Sequence, residues 1–354
     1  MSPPDHGRRG GAWWIVAAAG VLGISLAFSP VVRRLDWRLD DRFVSLATYE
    51  ASPPANIVIV AIDQASVEQL GTPLPWPRRV HAALVGALAS AGARTIVFDL
   101  VFDEPASTAE DDGILREAIS RAGNVVLALR PIPSLASAAA GLGAASLPTE
   151  PDGIVRRYLM AAGDQPSLAA TASELTEGSD VSAGGLVPFK GRPGKGIQTV
   201  PYYQALRREQ LPRGFFRGKT VFVGRSREVA GSAGGAADVF QTAVGPMAGV
   251  EIHASALDAV MRGRFVSDPF DDAPAMALLL LAIAALSGWL FLRAGSILSS
   301  VVLALAATGW GVVGYALRAE DLARLPLAGP LVTAATVLVV MTVYRAAVAV
   351  RRGR

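Results

Sequence analysis

The chain has no cysteine, three lysines and three histidines in 354 residues. Without cysteine there can be no disulfide, no haem thiolate and no cysteine-based zinc site. That leaves the compartment open, because a bacterial periplasmic domain can do without disulfides. The lysines are Lys190, Lys195 and Lys219, and arginine carries the rest of the basic count; the formal net charge is only +3. No basic patch is interleaved with aromatics, so nucleic acid is not an expected partner. No EF-hand spacing and no helical pair of histidines occurs, so no metal site is expected. Gly191-x-x-Gly194-x-Gly196 lacks the Gly-Lys-Ser/Thr ending of a phosphate loop and reads as a turn. No cofactor and no catalytic residue is nominated, and no fixed-period repeat is present.

What the chain does have is a three-block layout. Residues 12–32 form one apolar span, and residues 274–292, 295–317 and 325–344 form three more. Each has the length that ~30 Å of hydrocarbon requires at ~1.5 Å per residue. The first is long for a signal core and ends in Phe28-Ser29-Pro30 and Arg33-Arg34 without a small-x-small cleavage site, so it reads as an uncleaved anchor. Four spans place both termini on one side. Arg293, Arg345, Arg351, Arg352 and Arg354 outnumber Arg318 and Arg324 in the opposite loop, which makes that side the cytoplasm. The first span disagrees, since Arg33, Arg34, Arg38 and Arg42 follow it. These read as part of a stalk helix, with Leu35, Leu39 and Phe43 at i, i+4, i+8 and Asp36, Asp40 and Asp41 among the arginines. The expected organisation is a cytoplasmic N-terminus (1–11), a first span (12–32), a stalk (33–55), an extracytoplasmic domain (56–266), spans at 274–292, 295–317 and 325–344, and a basic cytoplasmic tail (345–354).

Within the soluble block, Asn56 to Ile62 is a continuous apolar run ending at Asp63, the pattern of a buried parallel strand. A helix from Arg79 to Ala91 stops at Gly92. A second strand, Arg94 to Phe98, ends at Asp99. A helix from Asp111 to Arg121 closes at Gly123, and Asn124 to Leu129 is a third strand. Lys219 to Gly224 is another strand, and Gly249 to Met261 another helix. This β-α-β-α-β alternation predicts an α/β domain with a mainly parallel sheet. Leu135 to Gly143 and Ser226 to Ala237 are small-residue loops. Leu147 to Met160 reads as a hairpin turning at Pro151-Asp152-Gly153.

Several stretches together resemble a known family. These are Ile59 to Asp63; Pro75-Trp76-Pro77-Arg78 with His81 and Leu84; Gly92 to Asp99; Phe102-Asp103-Glu104-Pro105 with Asp112; Asp152-Gly153-x-x-Arg156; Phe189-Lys190-Gly191; Phe216 to Gly224; and Gly249-Val250-Glu251-Ile252-His253-Ala254. In order and spacing they resemble the second type of CHASE domain, an extracellular sensor associated with bacterial cyclases and histidine kinases. The family usually carries a Thr-Pro pair after an Asp; here Asp238 is followed by Thr242-Ala243. Larger members continue into a cyclase or kinase, and no such signature occurs here. The resemblance implies a sensor in a bacterial inner membrane, with its domain in the periplasm or cell exterior.

Asp63 and Asp99 end two predicted parallel strands, where open α/β sheets bind ligands. With Glu104, and with Trp76 and Arg78 from the loop after the first strand, they are the candidate ligand-binding residues, suited to a small amine-bearing or sugar-like compound. The competing expectation is that Asp63 and Asp99 cap loops and pair with Arg78 to lock the fold. His253 lies on the domain side, where a buried, hydrogen-bonded role is expected rather than a phosphoacceptor. The expected function is a non-enzymatic integral-membrane sensor, binding an unknown small ligand or envelope partner. Its expected partners are the bilayer, a separate cyclase, kinase or envelope protein, and a second copy in a homodimer. The alternatives are a scaffold of an envelope complex, or a sensor that has lost its effector.

Overall fold

The structure is a computed structural model that describes residues 6–48, 53–177, 184–227 and 238–352. It divides into two compact units, residues 1–43 with 267–354, and residues 44–266.

In the first unit, helix α1 (His6–Ala27) is followed by α2 (Pro30–Ala47) after a bend of 64°. The bend has a local cause. Pro30 starts α2, where its missing N–H costs nothing, and the Ser29 hydroxyl accepts from the Val32 N–H (3.4 Å). The expected continuous span 12–32 is therefore bent at Phe28-Ser29.

Residues 44–266 follow the expected alternation. Strand β1 (Ile57–Ile62) leads to α3 (Gln64–Leu70) and α4 (Arg78–Ser90). Then come β2 (Thr95–Phe98), α5 (Ala109–Ala122), β3 (Val125–Ala128), a short α6 (Pro133–Ala136) and β4 (Gly141–Gly143). Helix α7 (Leu168–Glu177), β5 (Gln198–Pro201), α8 (Tyr202–Arg207) and β6 (Thr220–Arg225) follow. A hairpin of β7 (Val239–Thr242) and β8 (Gly245–Ala248) precedes α9 (Gly249–Met261). The six strands β1 to β6 form one parallel sheet in the order β5-β1-β6-β2-β3-β4.

The sheet is buried on both faces, and the two-residue period of a strand sorts its side chains. Val58, Val60, Ile62, Ile96, Phe98, Val221 and Val223 pack with α4, α5 and α8. Ile57, Ile59, Ala61, Val97, Val126 and Phe222 pack with α7 and α9.

Two local expectations are corrected. Gly141–Gly143, inside an Ala/Ser/Gly-rich stretch, is the edge strand β4, its small residues packing closely against Ser167-Leu168 and Thr171. Pro151-Asp152-Gly153 does turn, but the strands after it pair elsewhere and not with residues 147–150 as a hairpin. Ile154–Val155 pairs with β7 and Arg157–Tyr158 with Gly185–Leu186. Most of the expected loop Ser226 to Ala237 lies outside the described residues.

The chain then returns to the first unit with α10 (Ala273–Ala319) and α11 (Ala328–Arg352). Both are long and apolar enough to cross a bilayer, and the bent pair α1–α2 is a third candidate if taken as one span. At 47 residues, α10 would be ~70 Å long, about twice the hydrocarbon thickness. It is broken at Gly295, whose φ of 77° and ψ of −178° suit glycine and interrupt the helix. Val16, Ala19, Ala284, Phe291, Val337 and Met341 form this unit's apolar core. Small residues let its helices approach; a Cβ on Gly288 would lie 2.2 Å from Val16.

The expected stalk helix exists, but its buried stripe is acidic. Asp36 and Asp40 are buried and Leu35 is exposed. Asp36 accepts from the N–H groups of Leu327 (2.6 Å) and Ala328 (2.8 Å), which begin α11. It also pairs with Arg324 (3.2 Å), which reaches Asp268 (3.2 Å) and stacks 3.8 Å over Trp37. Asp40 pairs with Arg318 at 3.4 Å. Arg318, in the last turn of α10, and Arg324, in the α10–α11 loop, are thus paired with carboxylates.

Candidate functional site

The carboxyl ends of β1 and β6 flank a topological switch point. After β1 the chain leaves on the α4 face through α3; after β6 it passes to the hairpin and α9 on the opposite face. Open α/β sheets leave a crevice at such a point. Here it is a cavity of about 160 Å³ lined by Ala61, Asp63, Gly194, Thr199, Arg227 and Glu251, among others.

Each wall follows from local sequence. Along β1, Ala61 faces α9 and Ile62 faces α4, so Asp63 continues on the α9 side. Its Oδ1 accepts from the Ser66 N–H (2.8 Å), capping α3. The turn at 191–196 is the one expected. Gly194 has a φ of +78°, which favours glycine, and its N–H points at the first turn of α9. There it donates to Glu251 Oε1 (2.9 Å) and Oε2 (3.1 Å). Burial raises the Glu251 carboxyl above its ordinary value, against the Gly194 bond and the charge of Arg227. The exposed Arg227 donates through one nitrogen to the Pro246 carbonyl at 3.3 Å.

Beside the crevice lies a buried acid–histidine cluster. Asp99 ends β2 on the α9 side by the same alternation. Its Oδ1 is 3.8 Å from His253 Nε2, and its Oδ2 has no partner among the described residues. His253 Nδ1 is 2.7 Å from the Tyr158 hydroxyl, which accepts from the Ala169 N–H at 3.3 Å. Burial pushes Asp99 up to about 7 and His253 down to about 4. Burial thus favours the neutral form of each group. Asp238 is pushed up to about 6 by burial and by Asp99. His253 is buried and hydrogen-bonded, the role expected for it.

The remaining candidates stand elsewhere. Trp76 is buried, donates to the Thr72 carbonyl (2.9 Å) and lies 4.7 Å from the Tyr202 ring. Arg78 pairs with Asp112 (3.3 Å), stacks over Phe102 (4.5 Å) and donates to the backbone carbonyl of Glu104 (2.8 Å). The five nominated residues thus occupy three places. Asp63 lines the crevice, Asp99 lies in the buried cluster, and Trp76 and Arg78 stand at the start of α4, where Arg78 is stapled to the backbone of Glu104 in the loop after β2. Arg78 bonds neither Asp63 nor Asp99 among the described residues. Sequence reasoning missed Glu251, Gly194 and Arg227 as one site. The available signals were an acid in the first turn of α9 and a glycine turn with no phosphate-loop ending.

The chain thus carries a parallel α/β unit with a polar crevice at its strand ends, followed by two helices long and apolar enough to cross a bilayer. The chain matches the CHASE2 domain over residues 15–293 of its 354 and belongs to that family of extracellular sensor domains. No curated protein and no solved structure matches it.

Proposed function

We propose that this protein is a multi-pass inner-membrane sensor whose residues 56–266 face the periplasm or cell exterior. It binds a small ligand in the strand-end crevice and passes that occupancy through its membrane helices to a separate effector protein, without catalysis of its own. The observation that carries this reading is the crevice itself. Its walls come from Ile59 to Asp63, from the turn after Phe189-Lys190-Gly191 and from Gly249 to Ala254, stretches on which the family likeness rests. Four spans fit the break of α10 at Gly295, which divides it into two segments each near bilayer length.

The test is topology. Alkaline phosphatase fused after Phe265 is expected to be active, and the same fusion after Arg354 inactive. The reverse pattern would contradict both the orientation and the sensor role.

One observation favours a second reading, a scaffold of an envelope complex. Trp76 and Arg78 are fully engaged within the fold, as a protein-binding frame without a ligand would have them.

A further inference from the structure

We propose that the strand-end crevice binds a small organic cation bearing a protonated primary or secondary amine, held between the Asp63 and Glu251 carboxylates. This names the ligand class of the site proposed above and rests on that reading.

The argument begins with charge. Two carboxylates line the crevice against one arginine, and that arginine is exposed at the rim. Glu251 is half-buried with no guanidinium or ammonium at ion-pair distance among the described residues. Burial raises its proton affinity, and the charge of Arg227 offsets that only in part. A buried carboxylate is stabilised by a cation that also donates hydrogen bonds.

Geometry narrows the cation. Glu251 already accepts from Gly194, and one Asp63 oxygen accepts from Ser66. Each carboxylate oxygen keeps a second lone pair, so each wall can accept an N–H donor from an ammonium without losing its present contact. A divalent ion needs about six oxygen ligands, and no group of three His, Asp or Glu among the described residues is placed to hold one. A quaternary ammonium brings charge but no N–H. Size narrows it further. A volume of about 160 Å³ is below the ~300–1,000 Å³ of pockets for drug-sized ligands, so the occupant is a metabolite of few heavy atoms. Arg227 spends one nitrogen on Pro246 and keeps other donors for an oxygen at the far end of such a molecule.

The experiment is calorimetric titration of the full chain in lipid nanodiscs. The probes are ethanolamine, glycine and putrescine, with tetramethylammonium, acetate, glucose, Mg²⁺ and Ca²⁺ as comparisons. At least one of the three amines is expected to bind saturably and the comparisons not to. Glu251→Gln is expected to weaken that binding about tenfold to a hundredfold, the cost of one charge-assisted hydrogen bond. Asp63→Asn preserves the cap of α3, because asparagine caps as well as aspartate, and is expected to weaken binding in the same direction. Lowering the pH into the carboxylate range is expected to weaken wild-type binding, because burial raises the proton affinity of Glu251. Silence from all three amines overturns the proposal. So does equal binding of acetate, glucose or a divalent ion, or unchanged affinity in both variants. The fusion after Phe265 separates the two readings. Amine binding with an inward-facing domain keeps the site and removes the sensor. An outward-facing domain without amine binding removes the amine and leaves the sensor.

Discussion

The two faces of the parallel sheet carry parallel sets of buried polar groups, and they treat them differently. Each face has a histidine held by a tyrosine: His81 with Tyr202 (2.9 Å) on the α4 face, and His253 with Tyr158 (2.7 Å) on the α9 face. On the α4 face the nearby acids have guanidinium partners. Asp112 pairs with Arg78 and Asp111 with Arg79, each at 3.3 Å. At the strand ends of the α9 face, Asp99, Asp238 and Glu251 have no lysine or arginine at ion-pair distance among the described residues. Burial raises the proton affinity of all three. The lesson is that one face has spent its charges on the fold. The other keeps charge in reserve for a proton or a ligand.

The largest effect that can break this contrast lies on the α4 face. Arg78 is 15% exposed and Asp112 11%, so removing one partner leaves a largely buried charge. Arg78→Ala is expected to cost about 3 kcal/mol, the lower end for a buried pair still touched by water. That corresponds to a fall in Tm of about 6–12 °C for a domain of this size, read by thermal melting of the detergent-solubilised chain. A Tm within 2 °C of wild type would make the Arg78–Asp112 pair dispensable.

The next effect is on the α9 face and depends on pH. A carboxyl raised to about 7 contributes stability that is fully present below the unfolded value near 4 and is lost as pH rises through 7. His81, lowered to about 3, and His253, lowered to about 4, pull the opposite way between pH 4 and 6.5, since their unfolded forms take up protons there. The observable is therefore a difference. The stability of Asp99→Asn relative to wild type is expected to rise by about 1 kcal/mol from pH 6 to pH 8. A pH-independent difference would mean that Asp99 is already ionised at pH 6.

The smallest effect separates cap from ligand at Asp63. Asp63→Ala is expected to cost about 1 kcal/mol, while Asp63→Asn stays within a few tenths. Equal losses in both would show that the charge, and not the cap, holds α3.

Much of this frame was legible in the sequence. The continuous apolar runs of β1, β2 and β6 are short and rich in β-branched residues, the pattern of strands buried on both faces, and the bounds of α9 follow from its apolar spacing. The ends of β1 and β2 were legible too, because an ionisable residue closing a buried run must lie at the rim of the sheet. What the sequence did not show was which strand ends are neighbours. β6 lies between β1 and β2, so Asp63 and Asp99 do not share one pocket, and Arg78, from the α4 face, reaches neither. Glu251 was legible only as an acid favouring a helix start; its bond to Gly194 joins residues 57 positions apart. The stalk misled in a similar way. Leu35, Leu39 and Phe43 gave an amphipathic pattern, but Asp36 and Asp40 are buried beside them, because their arginine partners come from the last turn of α10 and from the α10–α11 loop.

The most direct test of the contrast between the faces is one set of melting curves. Wild type, Arg78→Ala and Glu251→Gln would be compared with and without the amine that binds. At a hundredfold excess over its Kd, a bound ligand adds about 2.7 kcal/mol of stability. The account predicts that Arg78→Ala melts low but keeps the amine-induced shift, while Glu251→Gln melts near wild type and loses it. If Glu251→Gln melts low and keeps the shift, and Arg78→Ala loses it, the assignment of structure to one face and ligand to the other is wrong.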